Sequence, residues 1–330
     1  MTDRRTFVAL SGGTLLGLSP NLRAQSQVTT RRIGFLSAFA RADVEAFVRE
    51  LRSELEKLGW TDGQNIAFLE LRTTEGKNDR LPAVAVELVA QGPDVVLVQS
   101  APATRALMQA TKTIPIVMIG VGNPIEYGIV ADYRKPGGNV TGASYLAYES
   151  IRKTLQLLKE AAPRLRSVAV FINPSNEAAA PPMVKLVRLD AEALGMQAQF
   201  VEVSTPGDFE AAFAAIRRAN TESILLPPEP LIRNNRVAVA DFALAHKLPL
   251  AVVGSGRYLP ANGLMSYGPT SIQYAKLAAS YVDRILKGAK PGDLPVEQPS
   301  RFELSINLKT ARTLGLTIPQ TLLLRADEVI

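Results

Sequence analysis

Cysteine is absent from this chain of 330 residues, and histidine and tryptophan occur once each, as His246 and Trp60. Without cysteine there are no disulfides, thiolate metal sites or cysteine nucleophiles, and folding needs no oxidation in any compartment. His246 closes the segment Ala243-Leu244-Ala245-His246-Lys247, where it reads as a dipole partner or an exposed residue at a helix end rather than a general base. No HExxH, GxSxG or paired His/carboxylate spacing occurs, so metal-assisted hydrolysis and triad chemistry lack their residues. Gly120-Val121-Gly122-Asn123-Pro124 and Gly254-Ser255-Gly256-Arg257 begin like dinucleotide loops but lack a third glycine, and neither metal nor cofactor is expected. The net charge of +6 is spread along the chain, not gathered into blocks or interleaved with aromatics, so no nucleic-acid partner is expected. Beyond the first two dozen residues no apolar run is long enough to span a bilayer.

What the chain does have is an ordinary globular composition, 47% hydrophobic and 21% charged. Its length exceeds what one core usually organises, so two domains are expected. Residues 1–24 read as an export signal: Arg4-Arg5-Thr6-Phe7, a short apolar stretch from Ala9 to Leu18, then Leu22-Arg23-Ala24. The paired arginines point to twin-arginine export, with Asp3 a departure from the polar residue usual before them. Cleavage near Ala24 removes Arg4, Arg5, Arg23 and Asp3, so the mature charge becomes +6 − 3 + 1, or +4. The mature chain is then expected in the periplasm, without direct membrane insertion.

Two stretches spell the same programme of strand, helix and strand. The first runs through Arg32-Ile33-Gly34-Phe35-Leu36, a helix ending Lys57-Leu58-Gly59, Ile66 to Leu71, Asp94 to Val98, and Ile114 to Val117. The second runs through Val168 to Ile172, Ala193-Leu194-Gly195, Gln199 to Val203, Ser223 to Leu226, and Leu248 to Ala251. The offset holds from end to end: 168 − 33 is 135, and 249 − 115 is 134. Val44, Phe47, Val48, Leu51, Leu55 and Leu58 make one apolar helix face, with Asp43 placed to cap its start and Gly59 to end it. The strands are continuous apolar runs, the pattern of strands buried on both faces. The fold class is therefore α/β, two doubly wound parallel-sheet lobes with a hinge and an interlobe cleft.

The turn cluster Lys135 to Gly142 leads into a first crossing between lobes, and the segment Gly263 to Pro269 reads as a second. This divides the chain into lobe 1, residues 25–141 and about 265–298, and lobe 2, residues 142–264 and about 299–330. A helix carrying Tyr274, Ala278, Tyr281 and Ile285, an alternating strand Phe302 to Asn307, and a short helix Lys309 to Leu314 complete it.

Open α/β sheets bind ligands beyond the carboxyl ends of their strands. In lobe 1 that selects Ser37, Ala38 and Phe39, Thr74, Ser100, Ala101 and Thr104, and Gly122 and Asn123. In lobe 2 it selects Asn173, Ser175 and Asn176, and Glu229 within Pro227 to Pro230. The lobe 2 loop Gly254 to Tyr258 faces the cleft as well, and of the loop aromatics Phe39, Tyr145, Tyr148, Tyr258 and Tyr267 the tyrosines can stack on an apolar ligand while hydrogen-bonding at its rim. Ser100 is open to two readings: a carboxylate site at a helix N-terminus, or only a cap. Trp60, behind Leu58-Gly59, reads as structural.

Several long segments carry a family likeness: Leu58-Gly59-Trp60-Thr61-Asp62-Gly63-Gln64-Asn65, Pro136 to Gly142, Leu264-Met265-Ser266-Tyr267-Gly268, Ala279 to Asp283, and Phe302 to Ala311. With the export signal, they closely resemble ABC transporter substrate-binding proteins related to tryptophan/tyrosine-binding receptors. The resemblance implies a type I periplasmic binding fold, capture of a small organic solute (an amino acid, aromatic or carboxylate compound) and an inner-membrane ABC permease as partner. The protein is expected to act as a monomer and not as an enzyme. Asn123-Pro124 stands where relatives often carry Asp-Pro, which loses a charge suited to an α-ammonium group; on that ground the ligand is expected to lack an amine. A receptor feeding a sensor kinase and a cofactor-dependent α/β enzyme are the competing classes. A sugar-responsive transcription regulator shares the two-lobe fold by analogy, but would carry DNA-binding helices where this chain has an export signal.

Overall fold

The apolar runs and periodic helices form two α/β sandwiches in a computed structural model that describes residues 30–145, 147–176 and 180–330. The expected export segment, 1–24, lies outside the described residues. The first sheet contains β1 (Arg31–Ser37), β2 (Ile66–Phe68), β3 (Arg72–Thr73), β4 (Val95–Gln99), β5 (Ile116–Gly122) and β6 (Val140–Tyr145). Its order is β2-β1-β4-β5-β6, with β3 also on β1, and every pairing is parallel. The second contains β7 (Ser167–Ile172), β8 (Gln197–Glu202), β9 (Ile224–Leu226), β10 (Leu250–Val253), β11 (Met265–Pro269), β12 (Phe302–Ile306) and β13 (Glu328–Val329). Its order is β13-β12-β11-β10-β9-β7-β8, and only β11 and β12 run antiparallel.

The helices are α1 (Arg41–Lys57), α2 (Leu81–Ala90), α3 (Ala101–Ala110), α4 (Ala147–Ala161), α5 (Ala180–Ala193), α6 (Phe209–Arg218), α7 (Pro230–Asn234), α8 (Arg236–Ala245), α9 (Ser271–Leu286), α10 (Leu308–Thr313) and α11 (Gln320–Leu323). Side chains of β1 and β4 alternate between two cores, as a strand requires. Ile33, Phe35 and Leu97 pack with Phe47 and Leu51 of α1 and Tyr281 of α9. Leu36, Val96 and Val98 face Leu88 of α2 and Leu107 of α3. The second sheet is sandwiched likewise, with α4, α5 and the C-terminal helices on one face and α6 and α8 on the other. Each Leu or Phe so buried contributes about 2 kcal/mol.

Several local expectations are corrected. Asp43 does not cap α1; Ala40 is the N-cap, without a side-chain bond, and Asp43 pairs with Arg236 of the second lobe instead. The segment from Ile66 to Leu71 splits, because β2 ends at Phe68 and the chain rejoins β1 only at β3. Gly59 does end α1, at a positive φ of 87°, where a side chain would be strained.

The division into lobes also shifts. Residues 142–145, placed in lobe 2 by the boundary drawn at 141, belong to β6 and pair with β5 in the first sheet. Residues 265–269, assigned to lobe 1, form β11 between β10 and β12 of the second sheet. Only from α9 does the chain return to lobe 1, where α9 packs on α1 and Glu297 N donates to Gly142 O at 3.0 Å. The three crossings thus lie after Tyr145, between Pro269 and Ser271, and between Glu297 and Phe302. The turn cluster Lys135 to Gly142 leads into the first of these by way of an edge strand, β6. Gly142 makes that pairing possible: at φ 132°, an added Cβ would lie 2.1 Å from Met118 O.

Candidate functional site

The carboxyl ends of both sheets face one another, and two adjoining cavities lie between them. The larger encloses about 710 Å³, partly open to solvent. Lobe 1 contributes Phe39, Ser100, Ala101, Pro102, Gly120, Gly122 and Tyr127; across from it stand Asn173, Asn176, Met183, Pro227, Pro228 and Glu229, with Tyr145 and Tyr148 beside the first crossing. The smaller, about 540 Å³, shares Phe39, Gly120, Tyr145 and Pro228 with it and adds Gln99, Arg233, Gly254, Ser255, Tyr258, Ser271 and Tyr274.

In the larger cavity the walls are aromatic and prolyl, with few polar groups. Ser100 joins β4 to α3 at φ 84°, a conformation disfavoured for any residue with a Cβ. Its Oγ accepts from Ala103 N at 3.4 Å and its carbonyl from Thr104 N and Oγ1. The cap reading of Ser100 is therefore realised, on a strained residue that lines the cavity. Opposite, Glu229 caps α7: Oε2 accepts from Ile232 N at 3.0 Å and Oε1 from Asn173 Nδ2 at 2.9 Å. Burial pushes the Glu229 carboxyl above its ordinary range, against the pull of these hydrogen bonds. Burial likewise raises the Tyr145 and Tyr148 phenols to about 12, so both remain neutral hydrogen-bonding groups at physiological pH.

The smaller cavity contains a cation. Arg233 is 7% exposed; its guanidinium carbon lies 4.2 Å from the Tyr258 ring centroid and 5.1 Å from that of Phe39, a residue of the other lobe. Nη2 donates to Val253 O at 3.2 Å.

The lobes also touch along one edge. Asn234 Oδ1 accepts from Ala40 N at 2.9 Å and its Nδ2 donates to Ala38 O. Arg236 pairs with Asp43 at 2.9 Å and Arg257 with Glu50 at 3.0 Å. Gly76 approaches so closely that a Cβ there would lie 3.1 Å from Leu231 Cα.

Of the residues chosen from sequence, Phe39, Ser100, Ala101, Gly122, Tyr145, Tyr148, Asn173, Asn176 and Glu229 come together around the larger cavity. The others, Tyr258 apart, do not line either cavity. Ser37 is fully buried, its Oγ donating to Gln99 Oε1 and accepting from Phe39 N. Ala38 and Thr74 are buried below the β1 turn, with Thr74 N bound to Ser37 O. Thr104 turns its hydroxyl back on its own helix. Ser175 is exposed at the outer rim, and Tyr267 stacks on Phe302, 5.6 Å away along β11 and β12. Asn123 turns at φ 40° toward Glu126. Asn123 lines neither cavity, so its side chain gives no ground for an amine-free ligand. Tyr258, a loop aromatic in the sequence, lines the smaller cavity, whereas Arg233 and Tyr274 carried no site signal of their own. Trp60 is structural: its Nε1 donates to Asp283 Oδ1 at 2.9 Å, tying the end of α1 to α9.

A pair of doubly wound lobes joined by three crossings, with lined chambers between the strand ends, is a type I periplasmic binding fold. The chain belongs to the ABC transporter substrate binding protein family, which it matches over residues 40–330. This is a family of solute receptors that work with ABC permeases, not of enzymes. The Tyrosine-binding protein of Clostridioides difficile (strain R20291) is 29% identical over 267 residues, 79% of this chain and 74% of that one. Among solved structures, a conserved domain protein from Vibrio cholerae O1 biovar eltor superposes with a TM-score of 0.85 at 28% identity, covering 92% of this chain and all of that one. The ABC domain from Streptococcus pneumonia in complex with L-Trp gives 0.83 at 25% identity, with the same coverage. Among the described residues, no cluster of metal-ligating side chains occurs and no helix is long and apolar enough to cross a membrane.

Proposed function

We propose that this protein is a periplasmic receptor that encloses an amino-acid-sized aromatic solute between its lobes and presents it, as a monomer, to an inner-membrane ABC importer. The observation that carries the reading is the pair of connected interlobe cavities, aromatic and prolyl in their walls and polar at only a few points, as small-molecule sites generally are. Tyr127, Tyr148 and Phe39 offer ring faces, while Ser100, Asn173, Asn176 and Glu229 supply orientation. The relative named for tyrosine and the neighbour holding L-Trp support this size and chemistry. The three crossings form a hinge, and the edge contacts through Asn234 and Arg236 are those a closed receptor makes.

Calorimetry and thermal melts with L-tryptophan, L-tyrosine and 4-hydroxyphenylacetate test it. At least one should bind at micromolar concentration or tighter and raise the melting temperature. Small-angle scattering should show a radius of gyration no larger than that of the free protein. If none of the three binds, the aromatic reading is wrong; expansion on binding would rule out closure.

A further inference from the structure

Arg233 has unused binding capacity. A guanidinium carries five N–H donors and no acceptor, yet the Arg233 side chain donates only to Val253 O. Its Nε is buried without a partner, and among the described residues it forms no ion pair. The Glu229 carboxyl acts on Arg233 through space but is hydrogen-bonded to Ile232 N and Asn173 Nδ2 instead; a buried charge without a hydrogen-bonded partner is costly, which favours an oxyanion arriving from outside. The surroundings are shaped for one. Phe39 and Tyr258 hold the cation by their ring faces, leaving the N–H edge to a planar oxyanion. Two further buried hydroxyls lining the same cavity, Ser255 Oγ and Tyr145 OH, also lack partners. Gly254 keeps the approach clear: a Cβ there would fall 3.2 Å from Arg233 Nη2 and 3.3 Å from the Tyr258 ring.

We infer that the smaller cavity is an anion subsite in which Arg233, aided by Ser255 and Tyr145, captures the carboxylate of the solute while its ring occupies the larger cavity. The inference rests on the interlobe reading above and narrows it to aromatic acids. The solute bridges the shared wall of Phe39, Gly120, Tyr145 and Pro228. Because Phe39 belongs to lobe 1 and Arg233 to lobe 2, the bound carboxylate also joins the lobes.

The test compares wild type with Arg233→Met, which keeps the apolar stem, using L-tyrosine, 4-hydroxyphenylacetate, tyramine and sodium acetate. The two acids should bind wild type about 100-fold more tightly than tyramine, and Arg233→Met should lose about 100-fold for the acids while its ligand-free melting temperature holds or rises. Tyramine binding as well as the acids, or unchanged acid affinity in Arg233→Met, would overturn the anion subsite but leave the receptor reading intact. If neither the acids nor tyramine binds, the aromatic reading fails and acetate decides the subsite. A melting-temperature rise in wild type that Arg233→Met lacks sustains it, and an equal response in both removes it.

Discussion

Truncating Arg236 to alanine tests whether edge contacts between the lobes govern ligand capture. Nη2 of this residue lies 2.9 Å from Asp43 Oδ1, with the two side chains 20% and 15% exposed, and Nη1 donates to Arg233 O at 3.1 Å. An exposed ion pair contributes less than about 1 kcal/mol, whereas breaking a buried one costs about 3–5 kcal/mol because a charge is stranded. Asp43 Oδ2 is already buried without a partner, so Arg236→Ala leaves a poorly solvated carboxylate in the closed form only. An intermediate cost of about 2 kcal/mol follows, an open-to-closed shift of about 30-fold. Calorimetric affinity for L-tyrosine should fall by up to that factor, and to the extent that it falls by less, small-angle scattering of the unliganded variant should show expansion. Adding Asp43→Ala should recover part of the loss, since the stranded charge is then gone. Identical scattering and affinity in wild type and Arg236→Ala would refute the reasoning; a double variant as impaired as the single one would refute its electrostatic part.

Gly142→Ala should destabilise by about 3 kcal/mol or more in urea unfolding, since its Cβ would overlap Met118 O; a loss below about 1 kcal/mol would mean that β6 shifts freely. Trp60→Phe should cost about 1–2 kcal/mol through the lost bond to Asp283, and Asp283→Asn in the Trp60→Phe background should add little. Glu229 gives a pH signature. Its carboxyl is raised from 4.5 in the folded protein, so the native state holds the proton more tightly than the unfolded chain. The Glu229 contribution to stability therefore falls as pH rises from 4.5 through the raised value. Glu229→Gln cannot titrate, so its stability relative to wild type should improve between pH 4.5 and 7.5 in urea melts; a flat difference would count against a desolvated carboxyl.

Much of the fold was legible because its strands are buried on both faces. Runs such as Val95 to Val98 show that burial as continuous hydrophobicity, and the 135-residue offset shows the duplication without any contact information. Reading failed where a segment's partner is distant. Gly142 marks a turn by composition, yet pairing with β5 makes 140–145 a strand. Met265 to Pro269 looked like a link, and its place between β10 and β12 was set by the return of Phe302 to Ile306. Within the site, the strand-end loops at Phe39, Ser100 to Pro102, Asn173 and Glu229 line the larger cavity, because the direction of a parallel strand fixes at which of its ends its loop lies. Which residue of a loop turns inward was not legible. Ser37 and Thr104 satisfy their own backbones, while Phe39 and Ser100 face the cavity.

The sequence by itself determined two tandem α/β lobes and which loops stand at their strand ends, since each of these follows from local period, repetition or composition. The tertiary structure alone decided the charge of the cleft between the lobes. Arg233 stands in Leu231-Ile232-Arg233-Asn234-Asn235-Arg236, where any arginine reads as solvent-exposed. It is buried because Phe39 reaches it from the other lobe and Tyr258 from the next strand end. Desolvation is a property of what surrounds a charge, and the residues surrounding this one are up to 194 positions away along the chain, the separation of Phe39 and Arg233.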